Sequence, residues 1–335
     1  MQYDKIRLGI IGSGKWGINH IKTAYALLKD NLVCVCDTNE ATGGVLNNLG
    51  IGAKFSTDIN GICSDTGINA VIISTPAETH FGLAKRCLES GKNVLVEKPI
   101  TLKTDEAREL YGIAKAVNLK LMVGHVLLYH PAILKIKKLI DKGDIGKLQY
   151  IYSNRLNLGT IRTEENILWS FAPHDISVIQ YLTGSYPEKI NAFGARFLQK
   201  NIEDTTITIL EYPGNVHAHI FVSWLHPFKE QRLIVIGSEG MLVFEDTLKH
   251  DKLKFYKKGF KSKDGSLEKF DAEFENVEYE NNQPLTEEQK HFFDCIVNDK
   301  TPLTDGKSAL DVLRILETAT ERLLSVKCDP ETSSG

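Results

Sequence analysis

Short apolar runs and helical periodicities alternate along the first 124 residues. Ile6–Ile11, Leu32–Cys36, Ala70–Ser74, Val94–Glu97 and Leu121–Gly124 are brief, rich in Val, Ile and Leu, and bounded by Gly, Asn or Asp. Runs that are apolar on both faces predict buried parallel strands. Between the first two, Ile18, Ile21, Tyr25 and Leu28 recur at helical spacing and give one apolar face. Thr75-Pro76-Ala77-Glu78 reads as a capping box with Pro at the first helical position, opening a helix that ends at Gly91. Strand–helix alternation of this kind predicts a doubly wound α/β domain over residues 1–124, its parallel sheet covered by helices on both faces. Segment 37–64 is less patterned: Gly43-Gly44 interrupts its helix, and no strand is placed there.

The pattern then changes. A helix over Pro131–Leu139, a strand over Leu148–Asn154 and a helix through Ile176–Leu182 precede long stretches of period-two alternation. These are Thr205–Tyr212, His217–Trp224, Arg232–Ile236, Met241–Phe244 and Lys252–Tyr256, with turns at Pro213-Gly214-Asn215 and Ser238-Glu239-Gly240. Alternating strands joined by tight turns predict an α+β domain over residues 125–330 with a large open, mostly antiparallel sheet. Lys257–Lys269 reads as a solvated hairpin or loop, Gln289–Val326 returns to helical spacing, and Ser333-Ser334-Gly335 is expected to fray.

Composition narrows the function classes. In 335 residues, 40 Lys+Arg against 43 Asp+Glu leave a net charge of −3, which gives no polybasic footprint for nucleic acid or an anionic membrane. The longest mostly apolar stretch, Leu121–Tyr129, is about half the roughly 20 residues of a spanning helix, and no signal-peptide core precedes the first strand. Six scattered cysteines form no disulfide framework and contain no Cys-x-x-Cys pair. A cytoplasmic, two-domain protein is the expectation. Cys34-Val35-Cys36 reads as core packing. His217-Ala218-His219 sets two imidazoles on one strand face, but no third ligand is evident, so no metal is expected.

Candidate chemistry sits at the strand ends. The first strand leads into Gly12-Ser13-Gly14-Lys15-Trp16-Gly17 and then an amphipathic helix. In that context, Gly-x-Gly-x-x-Gly is a dinucleotide-binding turn that rests a diphosphate on the helix N-terminus. Asp37 ends the second strand, where a carboxylate accepts the ribose hydroxyls and repels a 2′-phosphate. No Arg or Lys stands beside it, so NAD is expected over NADP. Ser74, Thr75 and Pro76 close the next strand on the ligand edge, and His80 lies one turn into the following helix, within reach of the nicotinamide side. Glu97-Lys98-Pro99 ends a further strand on that edge. A lysine beside a nicotinamide is partly desolvated and near positive charge, which suits proton exchange with a substrate hydroxyl. Pro99 permits a cis bond.

With these motifs in order on successive strand ends, the chain resembles the glucose–fructose oxidoreductase/inositol dehydrogenase (Gfo/Idh/MocA) family over nearly its whole length. The resemblance implies NAD(P)-dependent redox chemistry at a sugar or cyclitol carbon with Lys98 catalytic. It also implies a catalytic histidine on a helix leading into Tyr-Leu-x-Gly; here His174 stands before Tyr181-Leu182-Thr183-Gly184. Imidazole is a fitting general base at neutral pH. Many members carry Asp four residues before and three residues after that histidine, where this chain has Ser170 and Ser177. Asp175 is the alternative orienting group. An arginine-containing segment of many relatives is replaced by His125-Val126-Leu127-Leu128-Tyr129-His130-Pro131, which speaks against simple cyclitol specificity.

The polar, aromatic run from Asn154 to Asp175 looks like the branch of nucleotide-sugar 3-dehydrogenases, which oxidise a UDP-N-acetylhexosamine to a 3-keto sugar that an aminotransferase consumes. On that reading Arg155 and Arg162 clamp a diphosphate, Trp169 stacks on a sugar or base, and Asn157, His125 and Tyr129 complete the substrate contacts. UDP-N-acetylglucosamine is the favoured substrate. Its 6-carboxylate form, a 3-ketosugar reductase, another sugar or inositol dehydrogenase and a non-catalytic nucleotide sensor are the alternatives. The open sheet is expected to join a homodimer or homotetramer.

Overall fold

A computed structural model describes residues 3–325; the expected fraying at Ser333–Gly335 and the last residue of the predicted helix, Val326, lie outside them. The chain divides into two units: residues up to Tyr129 together with Asn282–Leu313, and His130–Asn281 together with the chain from Arg314.

The first unit is built on six parallel strands, β1 (Leu8–Ile11), β2 (Leu32–Cys36), β3 (Lys54–Ser56), β4 (Ala70–Ile73), β5 (Asn93–Glu97) and β6 (Leu121–Gly124), in the order β3-β2-β1-β4-β5-β6. Every residue of β1, β4 and β6 is buried, as expected of strands covered on both faces. The covering helices are α1 (Gly17–Leu28), α2 (Gly44–Asn48), α3 (Asn60–Cys63), α4 (Ala77–Glu89) and α5 (Thr104–Ala116). The strand order reverses direction between β1 and β4, and the crevice at such a switch point is where open α/β sheets bind ligands. The predicted capping box is corrected: Pro76 occupies the N-cap of α4 and no side chain caps it, because the Thr75 hydroxyl is spent on Thr79 Oγ1 (2.7 Å).

The expected domain boundaries also need correction. Helix α8 (Pro284–Val297) belongs to the first unit, so the second is not one continuous stretch. Hydrogen bonds explain this. Val123 donates its N–H to Thr304 O (2.8 Å), Thr304 Oγ1 donates to Val123 O (2.7 Å), and Gln289 of α8 bonds to His20 of α1.

The second unit carries eight strands: β7 (Leu148–Leu156), β8 (Lys189–Ala195), β9 (Thr205–Tyr212), β10 (Val216–Ser223), β11 (Glu230–Gly237), β12 (Met241–Glu245), β13 (Leu253–Lys263) and β14 (Ser266–Asn276), in the order β14-β13-β12-β11-β7-β10-β9-β8. Its pairings are antiparallel except β7 with β10. The turns at Gly214 and Gly240 fall where the alternation places them. On β9, Thr206, Thr208, Leu210 and Tyr212 are buried in strict alternation, and α7 (Ile167–Thr183) packs on β7, β9 and β10. Ile176 and Ile179 of α7 are fully buried, each contributing about 1.5–3 kcal/mol. Helix α7 begins nine residues before the predicted Ile176, continuing through Pro173. Helices α6 (Pro131–Lys142) and α9 (Gly306–Ser325) complete the elements. Among the described residues no helix is long and apolar enough to cross a membrane.

Candidate active site

The dinucleotide turn is assembled by three glycines with separate tasks. Gly12 adopts φ +97°, and a Cβ there would stand 2.6 Å from Ser74 O. At Gly17 a Cβ would fall 2.2 Å from Gly12 O, so α1 approaches the end of β1 as only glycine allows. A Cβ on Gly14 meets nothing within 4 Å, leaving that backbone open to a diphosphate. Ser74 Oγ donates to Gly12 O (3.0 Å) and ties the ends of β1 and β4 together. Lys15 is exposed beside the turn.

Asp37 stands at the ribose position. Its Oδ2 accepts the Ser13 N–H (2.7 Å) and hydroxyl (2.9 Å), and Oδ1 accepts the Asn39 N–H (2.9 Å). Partial burial works to raise its pKa, but these bonds outweigh it and hold the carboxyl below its usual range, ionised as ribose recognition requires. The residues therefore fit NAD.

At the end of β5, Glu97 gathers three donors: the Trp16 indole N–H (2.5 Å), the His20 ring at Nε2 (2.8 Å) and the Lys98 backbone N–H (3.2 Å). Burial opposes ionisation of Glu97; His20, Trp16 and Lys98 together hold its carboxyl below the usual range. A Cβ on Gly124 would meet the Glu97 carboxylate at 3.0 Å, so the glycine ending β6 makes room for it. The Lys98–Pro99 peptide is cis. Trp16 keeps 43% of its surface exposed while its indole N–H is fixed, joining the phosphate turn to the lysine strand.

His80, expected to reach the nicotinamide side, sets both ring nitrogens against the backbone. It is buried, with Nδ1 2.7 Å from Pro99 O and Nε2 2.9 Å from Thr75 O. His80 thereby pins the Thr75 and Pro99 backbones flanking the site. His125 is 2% exposed and next to Lys98; burial, then the Lys98 charge, lower its pKa to about 4 against the opposing pull of Glu97. Tyr129, expected at the substrate, is instead core: it is buried with its hydroxyl 3.0 Å from Thr304 Oγ1.

In the second unit, α7 presents His174. Asn166 caps the helix by accepting the Trp169 N–H (3.2 Å), and Glu203 fixes Asn166 in turn (2.9 Å). His174 is half-buried, its carbonyl accepting the Ser177 hydroxyl (2.8 Å), and Ser170 is buried one turn before it. Asp175 is not the orienting group expected. Its carboxylate receives Arg155 Nε (2.8 Å), Arg155 Nη2 (3.1 Å) and the Ser153 hydroxyl (2.6 Å). The same geometry takes Arg155 away from the expected diphosphate clamp and makes it a brace between β7 and α7.

Trp169 donates its indole N–H to Thr320 Oγ1 (2.9 Å), so α9 sets its ring. Asn157 donates its backbone N–H to Ser223 O (3.1 Å). Arg162 is exposed, with Nε 3.4 Å from Glu165, on an irregular segment that also exposes Leu158 and Ile161. Of the predicted substrate residues, Arg162 is the exposed cation. His219 stacks on Tyr152 with ring centroids 5.1 Å apart, and Tyr150 Oη lies 2.5 Å from its Nδ1. Sequence reasoning missed His20, Gln289 and Glu288. A signal was present for the last, since Glu288, Phe292 and Cys295 share the buried face of α8 at helical spacing.

Comparisons with known proteins agree with this geometry. Residues 6–125 match the oxidoreductase family with an NAD-binding Rossmann fold, and residues 133–243 match the GFO/IDH/MocA C-terminal domain. The scyllo-inositol 2-dehydrogenase (NAD(+)) of Bacillus subtilis is 29% identical over 312 residues, 89% of this chain and 88% of its own. The UDP-N-acetylglucosamine 3-dehydrogenase of Acidithiobacillus ferrooxidans is 32% identical over 191 residues, 56% of this chain and 58% of its own. A solved structure of that enzyme superposes with TM-score 0.82 at 23% identity, covering 96% of this chain and 98% of the other.

Proposed function

The chain belongs to the Gfo/Idh/MocA family of NAD-dependent oxidoreductases, and from that premise we propose that it oxidises the 3-hydroxyl of a UDP-N-acetylhexosamine, UDP-N-acetylglucosamine first, to the 3-keto sugar. The observation that carries this reading is the 32% identity to a UDP-N-acetylglucosamine 3-dehydrogenase. The exposed Arg162 supports it as a partner for a diphosphate. NAD, when bound, accepts the hydride. The glycine turn and Asp37 would hold the NAD that takes up the hydride, and the hydroxyl proton would leave to a base as the carbonyl forms. Lys98 and His174 are the proton-handling groups, with Lys98 bonding the hydroxyl and His174 as base. The product suits a transaminase that installs a 3-amino group.

A second reading is oxidation of a free cyclitol, favoured by the longer match to scyllo-inositol 2-dehydrogenase. The protein is proposed to work in the cytoplasm as a homodimer or homotetramer through the open sheet face that displays Tyr152 and His219. The test is NADH formation with a panel of UDP-hexosamines, their uronates and free inositols, with the keto product identified by mass. Turnover of UDP-N-acetylglucosamine, lost at least 100-fold in Lys98→Ala and His174→Ala, is expected. Turnover of inositols alone selects the second reading. Reduction of a 3-keto sugar without detectable oxidation reverses the direction, and dinucleotide binding without any turnover makes the protein a sensor.

A further inference from the structure

Helix α8 places a carboxyl in the first unit that the reaction above does not use. Glu288 has no exposed surface, and among the described residues neither of its carboxyl oxygens has a hydrogen-bond partner. One oxygen lies within 4.8 Å of a His20 ring nitrogen and of a Glu97 oxygen. Two carboxyls at this separation, one fully buried and one half-buried, do not both ionise without large cost, so one of them keeps a proton. Their surroundings decide which. Glu97 receives three N–H groups, whereas Glu288 receives none. Glu97 is the anion and Glu288 the acid; burial, then the Glu97 charge, push Glu288 well above the usual carboxyl range.

The imidazole between them does not offset a second charge. Gln289 Nε2 lies 3.1 Å from His20 O, a carbonyl that only accepts, which fixes the amide nitrogen on that side. The same nitrogen lies 3.1 Å from His20 Nδ1, so Nδ1 is the acceptor and Nε2 carries the proton donated to Glu97. His20 is a neutral donor. Its Nε2 presents a proton rather than a lone pair, so the trio does not have the form of a cation site. The titratable groups facing Glu288 are His20 from α1, Glu97 from β5 and Tyr129 from the turn before α6. On α8 itself Glu287 and Lys290 pair with each other, and His291 packs on Tyr129.

We propose that Glu288 is a positioning residue acting through Glu97: kept as the uncharged acid, it limits the end of β5 to one negative charge and so lets the Lys98 amine release its proton. The inference rests on the dehydrogenase reading for its consequence in catalysis, but its test needs no substrate. Infrared difference spectra of the full-length protein and Glu288→Gln are recorded across a pH series. The wild type should show a protonated-carboxyl band at neutral pH that the variant lacks, and its disappearance at alkaline pH marks the ionisation of Glu288. Lys98, labelled by reductive 13C-methylation and assigned with Lys98→Arg, is titrated by NMR in both proteins. The two curves should coincide and the Lys98 proton should leave below that midpoint, because the neutral acid and the neutral amide leave the same single charge beside the amine. A missing band, curves that differ, or a Lys98 midpoint above that of Glu288 overturns the proposal. Should Glu288→Gln not fold, Glu97→Gln replaces it in the infrared series; the wild-type band must then vanish at lower pH, and an unmoved band overturns the proposal. If band and titration behave as expected but no sugar or cyclitol is oxidised, the dehydrogenase reading fails and the proton assignment stands.

Discussion

Replacing Asp175 with Asn tests the reassignment of Arg155 from ligand clamp to internal brace. The carboxylate and guanidinium side chains are 3% and 14% exposed, and Arg155 reaches Asp175 through two bonds of 2.8 and 3.1 Å. Water does not screen such a pair. Asp175→Asn leaves the guanidinium buried without its counter-charge, which costs about 3–5 kcal/mol. At roughly 2–4 °C per kcal/mol, the transition of the second unit should fall by about 10 °C. Removing both charges tells a different story: Arg155→Met with Asp175→Leu should be near neutral, since the desolvation of both ions is relieved along with their attraction. Calorimetric melts of the wild type, Arg155→Met, Asp175→Leu and the double variant close a double-mutant cycle and read the coupling directly. A loss below about 1 kcal/mol in Asp175→Asn, or a double variant no more stable than either single one, would refute the brace. Arg155→Met that melts normally but raises the KM of a UDP-sugar would return the guanidinium to the substrate.

The glycine turn separates two kinds of failure. Gly17→Ala drives a Cβ to 2.2 Å from the Gly12 carbonyl and should lower the melting temperature, whereas Gly14→Ala meets nothing within 4 Å and should leave it unchanged while raising the KM for NAD at least tenfold. Equal melting losses would contradict this division. Cofactor choice should follow the ionised Asp37: kcat/KM with NAD exceeds that with NADP, and Asp37→Ser narrows the ratio at least tenfold, measured by steady-state kinetics. His125 gives a pH slope. Its ring titrates near 4 when folded and near 6.5 when unfolded, so the unfolded chain takes up a proton that the native one refuses. Stability should therefore fall as pH drops through that window, by up to about 3 kcal/mol, and His125→Asn should flatten the slope in urea titrations.

What could be read from the sequence was what short-range pattern controls. Fully apolar runs gave β1, β4 and β6, and clean alternation gave β9 through β12. Strands β3 and β8 went unplaced, and β14 was anticipated only within the solvated hairpin or loop over Lys257–Lys269. Edge strand β8 buries little beyond Ile190 and Ala192, and β14 is exposed almost throughout, so neither shows the apolar–polar contrast that alternation needs. The β13–β14 hairpin is dressed instead by cross-strand pairs such as Lys257–Glu275 and Lys258–Asp271, and by Lys254 over Phe274. Pro173 hid the first turns of α7, because proline inside a helix ordinarily ends one. In the candidate site, the glycines and Asp37 were legible from spacing across β1, α1 and β2, whereas Lys98 stood out only as one of several motifs on successive strand ends. The fates of Arg155 and Tyr129 were not legible, because their partners, Asp175 and Thr304, are joined to them by folding rather than by sequence.

The return of α8 has a consequence for how this protein comes into being on the ribosome. The Rossmann half cannot finish when its own six strands have emerged, because the chain that buries His20 and borders β6 is translated only after Asn281. The open-sheet half must be synthesised in between. A nascent chain stalled before that point should leave its first 129 residues unclosed and open to proteases and chaperones. Anyone wishing to isolate the nucleotide half must splice the late segment back onto the early one.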